Sequence, residues 1–299
     1  MPLVKSLIFE FLRLPGINAA LKAFRPVFAR FDLRAVDKFP VRGSIPIRFQ
    51  GRTVFVMESD GRDSVASGAF WVGLDAYEGC TLTVFAHFAK TSHQIVDVGA
   101  NTGLFSLLAA SLNKDAVIHA FEPFPGAADL LEANLRANRF GTIHLVRAAV
   151  ADQPGTLPLY YNDALRLTQG ASLRNWDYVT GKVDVPVMRL DDYLAERGIE
   201  TIDLLKVDVE GAEPEVLAGA ENTIARCTPD IFCELIKEDC FPKLRAFIQR
   251  HGYRAYRLAG AGLVPDFELA EKGPVAWNRL FIHPSRLDRL QPLLPATAS

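Results

Sequence analysis

The chain has 299 residues, of which 49% are hydrophobic and 23% are charged, and its formal net charge is −2. This length fits one large domain with elaborations or two small ones, and it allows a full hydrophobic core. Nothing in the charge balance indicates a nucleic-acid partner. The four cysteines form no CxxC pair and have no histidine at metal-ligand spacing, which predicts reduced thiols in a cytoplasmic protein. No run of 18 apolar residues is present, so we expect no membrane-spanning helix.

Residues 1–48 predict a basic, helical N-terminal arm. Residues 1–42 contain eight Lys and Arg against three acidic residues, a local charge of +5, and apolar residues recur at helical spacing over 3–14 and 17–28. Glu10 and Arg13 interrupt the apolar start, so we expect no signal peptide. Two interpretations stay open. Either the arm packs on the main domain as a pair of helices, or residues 1–45 contact a second copy of the chain in a homodimer or an anionic membrane at its inner face.

A β-hairpin is predicted over residues 46–58, with its turn at Gln50-Gly51. Most of it falls in the segment 49–92, whose remainder is predicted to form a helical cap. From residue 93 to 290 strands and helices alternate, and the strands are almost continuously apolar. The predicted strands are 94–98, 116–121, 143–146, 203–209, 231–235 and two near the end of the chain, and the predicted helices are 104–112, 127–138, 214–226 and 241–252. This alternation indicates a doubly wound α/β fold with a mostly parallel sheet. Residues 157–190 interrupt it with two strands around a polar loop, where a substrate lid or wall would lie, and residues 291–299 form a tail.

The turn after the first strand of this region is D-V-G-A-N-T-G, residues 97–103. A dinucleotide site would normally present G-x-G-x-x-G here, because backbone amides must hold a diphosphate. Asp97 would repel a diphosphate but would attract the ammonium and sulfonium of S-adenosylmethionine. Gly99 lets the backbone approach a ligand, Gly103 allows close packing where the helix begins, and Asn101 supplies a polar side chain. The turn therefore favours S-adenosylmethionine over a nicotinamide or flavin dinucleotide.

The next strand ends in HAFEP, and its acid is placed to bind a ribose. Glu122 follows Asp97 by 25 positions and could accept hydrogen bonds from both ribose hydroxyls. Pro123 and Phe124 follow it, and the Phe124 ring could lie against an adenine.

The segment LLKVDVEGAE contains the acids and the lysine that we expect to do the chemistry. Lys206, Asp208 and Glu210 alternate with apolar residues, so we expect them on one side of a strand, emerging in the same cleft as Asp97. The lysine could pair with one acid and leave another to act as a base. In the rival arrangement Asp208, Glu210 and Glu234 hold a divalent metal, which is possible but not predicted.

Together these motifs resemble the FkbM family of S-adenosylmethionine-dependent methyltransferases. The resemblance covers roughly residues 55–285 and rests on VDVGANTGLFSLLAA, HAFEPFP, RLDDYL at 189–194, LLKVDVEGAEPEVLAGA and the upstream YEG at 77–79. It implies a class I, Rossmann-like methyltransferase with a seven-stranded sheet whose last strand is antiparallel. It also implies O-methylation of a hydroxyl on a sugar, a glycan or glycolipid, or a polyketide-type natural product, with the acceptor free or lipid-linked. N- or C-methylation, or a catalytically silent cofactor-binding scaffold, stays as the alternative.

The resemblance also suggests roles for single residues. Cofactor contacts are expected at Asp97, Gly99, Ala100, Asn101, Gly103, Glu122, Pro123, Phe124 and Ala149, with adenine recognition left to 147–149 and Phe124. Asp208 and Glu210, tuned by Lys206, are expected beside the transferred methyl. Tyr77, Glu78 and Ser172 are expected to form the acceptor wall.

Overall fold

The computed structural model describes residues 17, 40–162, 171–174, 179–260, 262–266, 269 and 277–293. Almost all of the predicted N-terminal arm therefore lies outside the described residues, and so does most of the loop 162–180. The first strand begins at Arg42, so residues 42–48 belong to the hairpin and not to the arm. Among the helices that the structure describes, none has the length and apolar character needed to cross a membrane.

A large mixed sheet forms the centre of the fold. Its strands are β3 (Gln94–Val98), β4 (Val117–Phe121), β5 (Ile143–Val146), β9 (Leu204–Val207), β10 (Asp230–Glu234), β11 (Arg254–Ala259), β12 (Gly262–Pro265) and β13 (Asn278–Ile282). Their order is β12-β11-β13-β10-β9-β3-β4-β5. The strands from β10 to β5 run parallel, and β13, inserted between β10 and β11, is antiparallel to both. This is the class I, Rossmann-like arrangement expected from the sequence, with its antiparallel last strand.

The sheet has one strand more than the seven that the resemblance predicted. The additional strand β12 lies at the edge and, among the strands that the structure describes, pairs with β11 alone. A turn at Gly260, which has a φ of 57°, directs the chain back along β11, so four residues are enough to extend the sheet.

Helices cover both faces of this sheet. They are α1 (Ser64–Val72), α2 (Leu74–Tyr77), α3 (Cys80–Ala89), α4 (Leu104–Leu112), α5 (Pro125–Asn138), α6 (Leu190–Glu196), α7 (Glu213–Gly219), α8 (Glu221–Cys227) and α9 (Phe241–His251). One hydrophobic cluster packs the hairpin and α1 to α5 against one face, and a second packs α6 to α9 against the other. Short 3-10 helices span Glu238–Cys240 and Pro284–Leu293.

The predicted hairpin is confirmed and joins the main domain through α5. Strands β1 (Arg42–Phe49) and β2 (Arg52–Asp60) meet at Gln50 and Gly51, whose φ values of 47° and 78° fit a tight hairpin turn. Asn134 on α5 accepts a hydrogen bond from the Glu58 amide, and its own amide donates to the Thr102 carbonyl. The hairpin is therefore tied to the turn after β3.

The insertion builds a small second sheet. The two strands predicted around the polar loop are β7 (Gly155–Tyr161) and β8 (Gly181–Met188), which pair antiparallel, and β6 (Ala149–Val150) pairs with β8. Ser172 continues the sheet through two backbone hydrogen bonds with Tyr160.

The predicted helix 214–226 is instead two helices that break at Ala220, where φ is −113°. The Asp191 carboxylate accepts hydrogen bonds from the Asn222 and Thr223 amides and so supplies the N-cap of α8 from α6. A cap that comes from a distant part of the chain leaves no local signal in the sequence.

Candidate functional site

A cavity of about 270 Å³ lies at the carboxyl ends of β3, β4, β9 and β10. Open α/β sheets bind ligands at this edge, beside the point where the strand order reverses. The cavity lining includes Ser64, Tyr77, Glu78, Gly99, Ala100, Asn101, Thr102, Phe105, Glu122, Pro123, Phe124, Ala149, Ser172, Lys206, Asp208, Glu210 and Glu234. The residues predicted for the cofactor, the chemistry or the acceptor therefore line one cavity, with the exceptions of Asp97, Gly103 and Arg147.

All backbone amides of the turn 99–103 donate hydrogen bonds within the protein. Gly99 and Ala100 donate to the Phe121 carbonyl, Asn101 donates to Glu122, Thr102 to the Asn101 side chain and Gly103 to Ala100. A dinucleotide turn must leave such amides free for a diphosphate. This turn therefore offers no diphosphate cradle.

Gly99 is needed where the turn crosses the end of β9. Its φ is 80°, and a Cβ at this position would lie 1.8 Å from the Asp208 carbonyl oxygen. The Asp208 amide donates to the Val98 carbonyl at 3.0 Å, so the two strand ends are held together at this crossing. The absence of a side chain at Gly99 thus brings the turn and the acids after β9 into one cleft.

Asp97 lies behind the cavity wall. It is 1% exposed, its Oδ2 accepts a 2.6 Å hydrogen bond from Ser106, and its Oδ1 is buried without a hydrogen-bond partner. Burial raises the pKa of Asp97, and the nearby Lys206, its register partner on β9, opposes that rise. Gly103 is also behind the wall, where a Cβ would lie 2.3 Å from Leu131. Direct contact of Asp97 or Gly103 with a cofactor stays a prediction.

Glu122 is fixed at the end of β4 by the backbone around it. Its Oε2 accepts from the Asn101 amide at 2.8 Å and its Oε1 from the Phe124 amide at 2.7 Å. Burial raises its pKa to about 7 despite these two hydrogen bonds. Each oxygen keeps a second lone pair, so the carboxylate can still accept a hydrogen bond from each of two ligand hydroxyls.

A buried ion pair lies where β9 reaches the cavity. Lys206 Nζ lies 2.8 Å from Asp208 Oδ2 and 4.3 Å from the centre of the Phe105 ring, and the Lys206 side chain is 4% exposed. Although burial opposes ionisation of both groups, their mutual attraction raises the pKa of Lys206 and lowers that of Asp208. Glu234 shares a hydrogen bond with Asp208, and burial together with the Asp208 charge raises its pKa to about 11. At neutral pH Lys206 and Asp208 are therefore charged, and Glu234 is protonated.

The three charged residues predicted on one side of a strand are arranged differently. Strand β9 ends at Val207, and Glu210 has a left-handed backbone with a φ of 57°. The Glu210 carbonyl accepts a hydrogen bond from Ser172 Oγ at 3.0 Å, which ties the insertion to this turn. Lys206, Asp208 and Glu210 still line one cavity, because the chain bends around it instead of continuing as a strand.

Tyr77 and Glu78 also line this cavity, and their role as an acceptor wall stays a prediction. Gly68 on α1 leaves room for the Tyr77 ring, since a Cβ there would lie 2.4 Å from two ring carbons. Glu78 ends α2, and Gly79 follows it with a φ of 52° and a ψ of −128°, a conformation that strongly favours glycine. Burial, followed by the negative charge of Asp208, raises the pKa of Glu78 to about 7, and Lys206 opposes the rise.

Other expectations have mixed outcomes. Ala149 and Phe124 line the cavity, but Arg147 pairs with Asp129 and Glu132 on the surface. Ser64, Thr102 and Phe105 were not predicted as site residues. Thr102 and Phe105 belong to the motif that was recognised, whereas nothing in the sequence distinguishes Ser64. Across the described part of the chain, no group of three His, Cys, Asp or Glu residues is arranged to hold a metal, so the alternative metal site at Asp208, Glu210 and Glu234 gains no support.

A family model described as the methyltransferase FkbM domain matches residues 97–255. Methyltransferase sdnD from Sordaria araneosa is 34% identical over 188 residues, which cover 53% of this chain and 73% of that protein. The 31-O-demethyl-FK506 methyltransferase FkbM from Streptomyces tacrolimicus is 32% identical over 187 residues, 53% of this chain and 72% of that protein. The 2-O-methyltransferase NoeI from Sinorhizobium fredii is 29% identical over 201 residues, 62% of this chain and 76% of that protein.

Solved structures of methyltransferases are similar at low sequence identity. A methyltransferase FkbM from Methylobacillus flagellatus matches with a TM-score of 0.44 and 15% identity, over 73% of this chain and 55% of that one. The METTL16 methyltransferase domain matches with a TM-score of 0.46 and 14% identity, over 87% of this chain and 91% of that one. The assignment rests on the family model, which spans more than half of the chain and includes the carboxyl ends of all four strands that border the cavity. This protein therefore belongs to the FkbM family of S-adenosylmethionine-dependent methyltransferases.

Proposed function

We propose that this enzyme binds S-adenosylmethionine along the cavity and methylates a hydroxyl group of a sugar, a glycan or glycolipid, or a polyketide-type compound. The observation that carries the proposal is one cavity lined by the Glu122 carboxyl, the turn 99–103, Glu78 and the Lys206–Asp208 pair. We assign the acceptor to the part beside Glu78 and the Lys206–Asp208 pair, which we call the acceptor end of the cavity. The names of two relatives, a 2-O-methyltransferase and a 31-O-demethyl-FK506 methyltransferase, support a hydroxyl acceptor.

The residues of the cavity fit S-adenosylmethionine better than a dinucleotide. The amides of the turn 99–103 are already used, so a diphosphate would find no donors there. Acidic side chains around the cavity suit a ligand with two positive charges, and Glu122 can accept from vicinal ribose hydroxyls. Phe124 and Ala149 provide an apolar surface for the adenine. When bound, the cofactor supplies an electrophilic methyl group on a sulfonium.

The protein must align the acceptor oxygen about 3 Å from that methyl and accept its proton as charge develops. Three carboxyl groups at the acceptor end could accept this proton. They are Asp208 and Glu210, as the sequence suggested, and Glu78. Lys206 balances the negative charge of this end and keeps Asp208 ionised. Tyr77 and Ser172 contribute hydroxyl groups that could orient the acceptor.

Calorimetry tests the cofactor part of the proposal. We expect micromolar binding of S-adenosylmethionine and S-adenosylhomocysteine, and no measurable binding of NAD. Tight NAD binding would overturn the cofactor assignment.

A transfer screen tests the acceptor part. Radiolabelled methyl transfer is measured with sugars, glycolipids, polyketide alcohols and matched amines, and each product is identified by mass spectrometry. We expect methyl ethers. N- or C-methylated products in place of ethers would contradict hydroxyl methylation while leaving the cofactor assignment intact. Repeating the assay with a chelator shows whether a divalent ion contributes to the rate.

A further inference from the structure

The backbone on both sides of Glu78 is held in place by hydrogen bonds. It ends α2, where its amide donates to the Leu74 carbonyl at 3.3 Å and its own carbonyl accepts from the Thr81 amide at 3.1 Å. Gly79 then reverses the chain with a φ of 52° and a ψ of −128°. Two helices thus meet at Glu78, which lines the cavity together with Lys206 and Asp208. Such a site is preorganised to present a carboxylate to a ligand.

The charged groups around Glu78 shift its pKa in opposite directions. Asp208 faces it from the end of β9 with a negative charge, and Lys206 from the same strand with a positive one. Tyr77 lies beside it on α2, and Glu234 from β10 is protonated. Burial is the largest effect, and together these surroundings raise the pKa of Glu78 to about 7. A general base is most effective when its pKa lies near the working pH.

Two other acids of the cavity, Asp208 and Glu234, are less suited to accept a proton. Asp208 is bound to Lys206 at 2.8 Å and hydrogen-bonded to Glu234, and both contacts lower its pKa and so its basicity. Glu234 is protonated at neutral pH and cannot act as a base.

We propose that Glu78 is the catalytic residue that removes the proton from the acceptor hydroxyl, and that Lys206 and Asp208 act on it as a fixed pair of charges. This assignment rests on the proposed hydroxyl methylation. The acceptor O–H bond breaks as the oxygen forms its bond to the methyl carbon, and the carbon–sulfur bond breaks with its electron pair left on sulfur. The proton moves to the Glu78 carboxylate and reaches solvent after the methyl ether leaves. The negative charges around the acceptor disfavour anionic substrates, so the hydroxyl compound should be uncharged near its reacting group.

The test compares Glu78→Gln with wild type and with Glu196→Gln, a control on an exposed side chain of α6 away from the cavity. In wild type, kcat should rise with pH and level off above about pH 7. Glu78→Gln should lower kcat by about 10²–10⁴-fold and remove this limb, because the amide cannot take a proton. Binding of S-adenosylhomocysteine should stay within about threefold of wild type, and Glu196→Gln should change neither quantity.

Two further measurements separate the base from other roles. Glu78→Asp should recover part of the rate, since it keeps a carboxylate in a displaced position. Infrared spectra of wild type minus Glu78→Gln should show a protonated-carboxyl band that disappears as the pH rises through about 7, with no acceptor present.

The assignment is wrong if Glu78→Gln keeps the wild-type rate and pH limb, if product turnover and S-adenosylhomocysteine affinity fall in parallel, or if the infrared band is absent. Failure of the hydroxyl proposal gives a different pattern. Wild type would then methylate amines or carbon, or no acceptor, while the infrared titration would still report on Glu78 alone.

Discussion

Glu122 shows how one buried carboxyl can make cofactor binding depend on pH. Its pKa is raised to about 7 in the free protein, mainly by burial. Ligand hydroxyls donate to the ionised form, so binding below that pKa must release a proton and becomes weaker. Affinity should therefore be constant above about pH 8 and fall by up to about tenfold per pH unit below about pH 6.5.

This prediction can be measured by calorimetry with S-adenosylhomocysteine, which lacks the sulfonium charge and so reduces the influence of Glu78. Glu122→Gln should bind more weakly at pH 8 and lose most of the pH dependence. A wild-type affinity that is flat between about pH 6 and 8 would show that Glu122 does not contact the ligand through its ionised form.

The residues that line the cavity could be predicted where their motif is continuous in sequence. The acid at the end of β4, the glycine at the crossing of β3 and β9 and the Tyr77–Glu78 wall all lie at the predicted cavity. The position of Asp97 behind the wall could not be predicted, because it depends on Ser106 and Lys206 lying on either side of it. The protonation states of Glu78 and Glu234 likewise follow from burial and from Asp208, which a sequence does not show.

Among the elements of the fold, α8 illustrates stabilisation by a distant side chain. Asp191 accepts hydrogen bonds from the Asn222 and Thr223 amides and from the Thr223 hydroxyl, and its side chain is 8% exposed. Asp191→Ala should lower the free energy of unfolding by about 2 kcal/mol, the upper end for a helix cap. Cofactor affinity should be nearly unchanged, since α8 lies on the far face of the sheet from the hairpin and contributes no side chain to the cavity.

Urea unfolding measures this effect, with Asp192→Ala as the matched control. Asp192 is 57% exposed and only approaches Arg189 at 3.8 Å, so its loss should cost less than about 0.5 kcal/mol. Equal destabilisation by the two variants would mean that the Asp191 cap contributes nothing.

Most elements could be predicted from hydrophobic periodicity, and several coincide with the structure to the residue. Strand β3 and helix α4 have the predicted bounds. The errors occur where tertiary contacts decide the local conformation: β9 ends early because the chain bends around the cavity, and α7 and α8 separate at the Asp191 cap. The edge strand β12 is four residues long, too short for a periodic signal.

On the scale of the whole molecule, the N-terminal arm is the main untested prediction. Its charge of +5 over residues 1–42 and its two apolar stripes motivate the hypothesis that it attaches the enzyme to an anionic membrane or a lipid-linked acceptor. A deletion should remove residues 1–39 only, because Val41 is buried and its carbonyl accepts a hydrogen bond from Ser59 Oγ. The truncated enzyme should keep its affinity for S-adenosylhomocysteine and lose flotation with anionic liposomes.

Liposomes of neutral lipid and a measurement at high salt serve as controls, since salt should screen the charges and release a contact that depends on them. An intact enzyme that never floats with anionic vesicles would leave the arm as a packing element or a contact between two copies of the chain. Sedimentation of the intact and truncated proteins distinguishes those two cases.

The position of β9 has a consequence for how the chain is made on the ribosome. This strand lies between β3 and β10 at the middle of the sheet, yet it is synthesised after β3, β4, β5 and the whole of the second sheet. Until it emerges, β3 has one unpaired edge and the Asp97 carboxyl lacks its neighbouring cation. Contacts between such distant segments form slowly, and an open apolar edge invites association with other chains. Nascent chains that end before β9 should therefore be the species that depends most on chaperones.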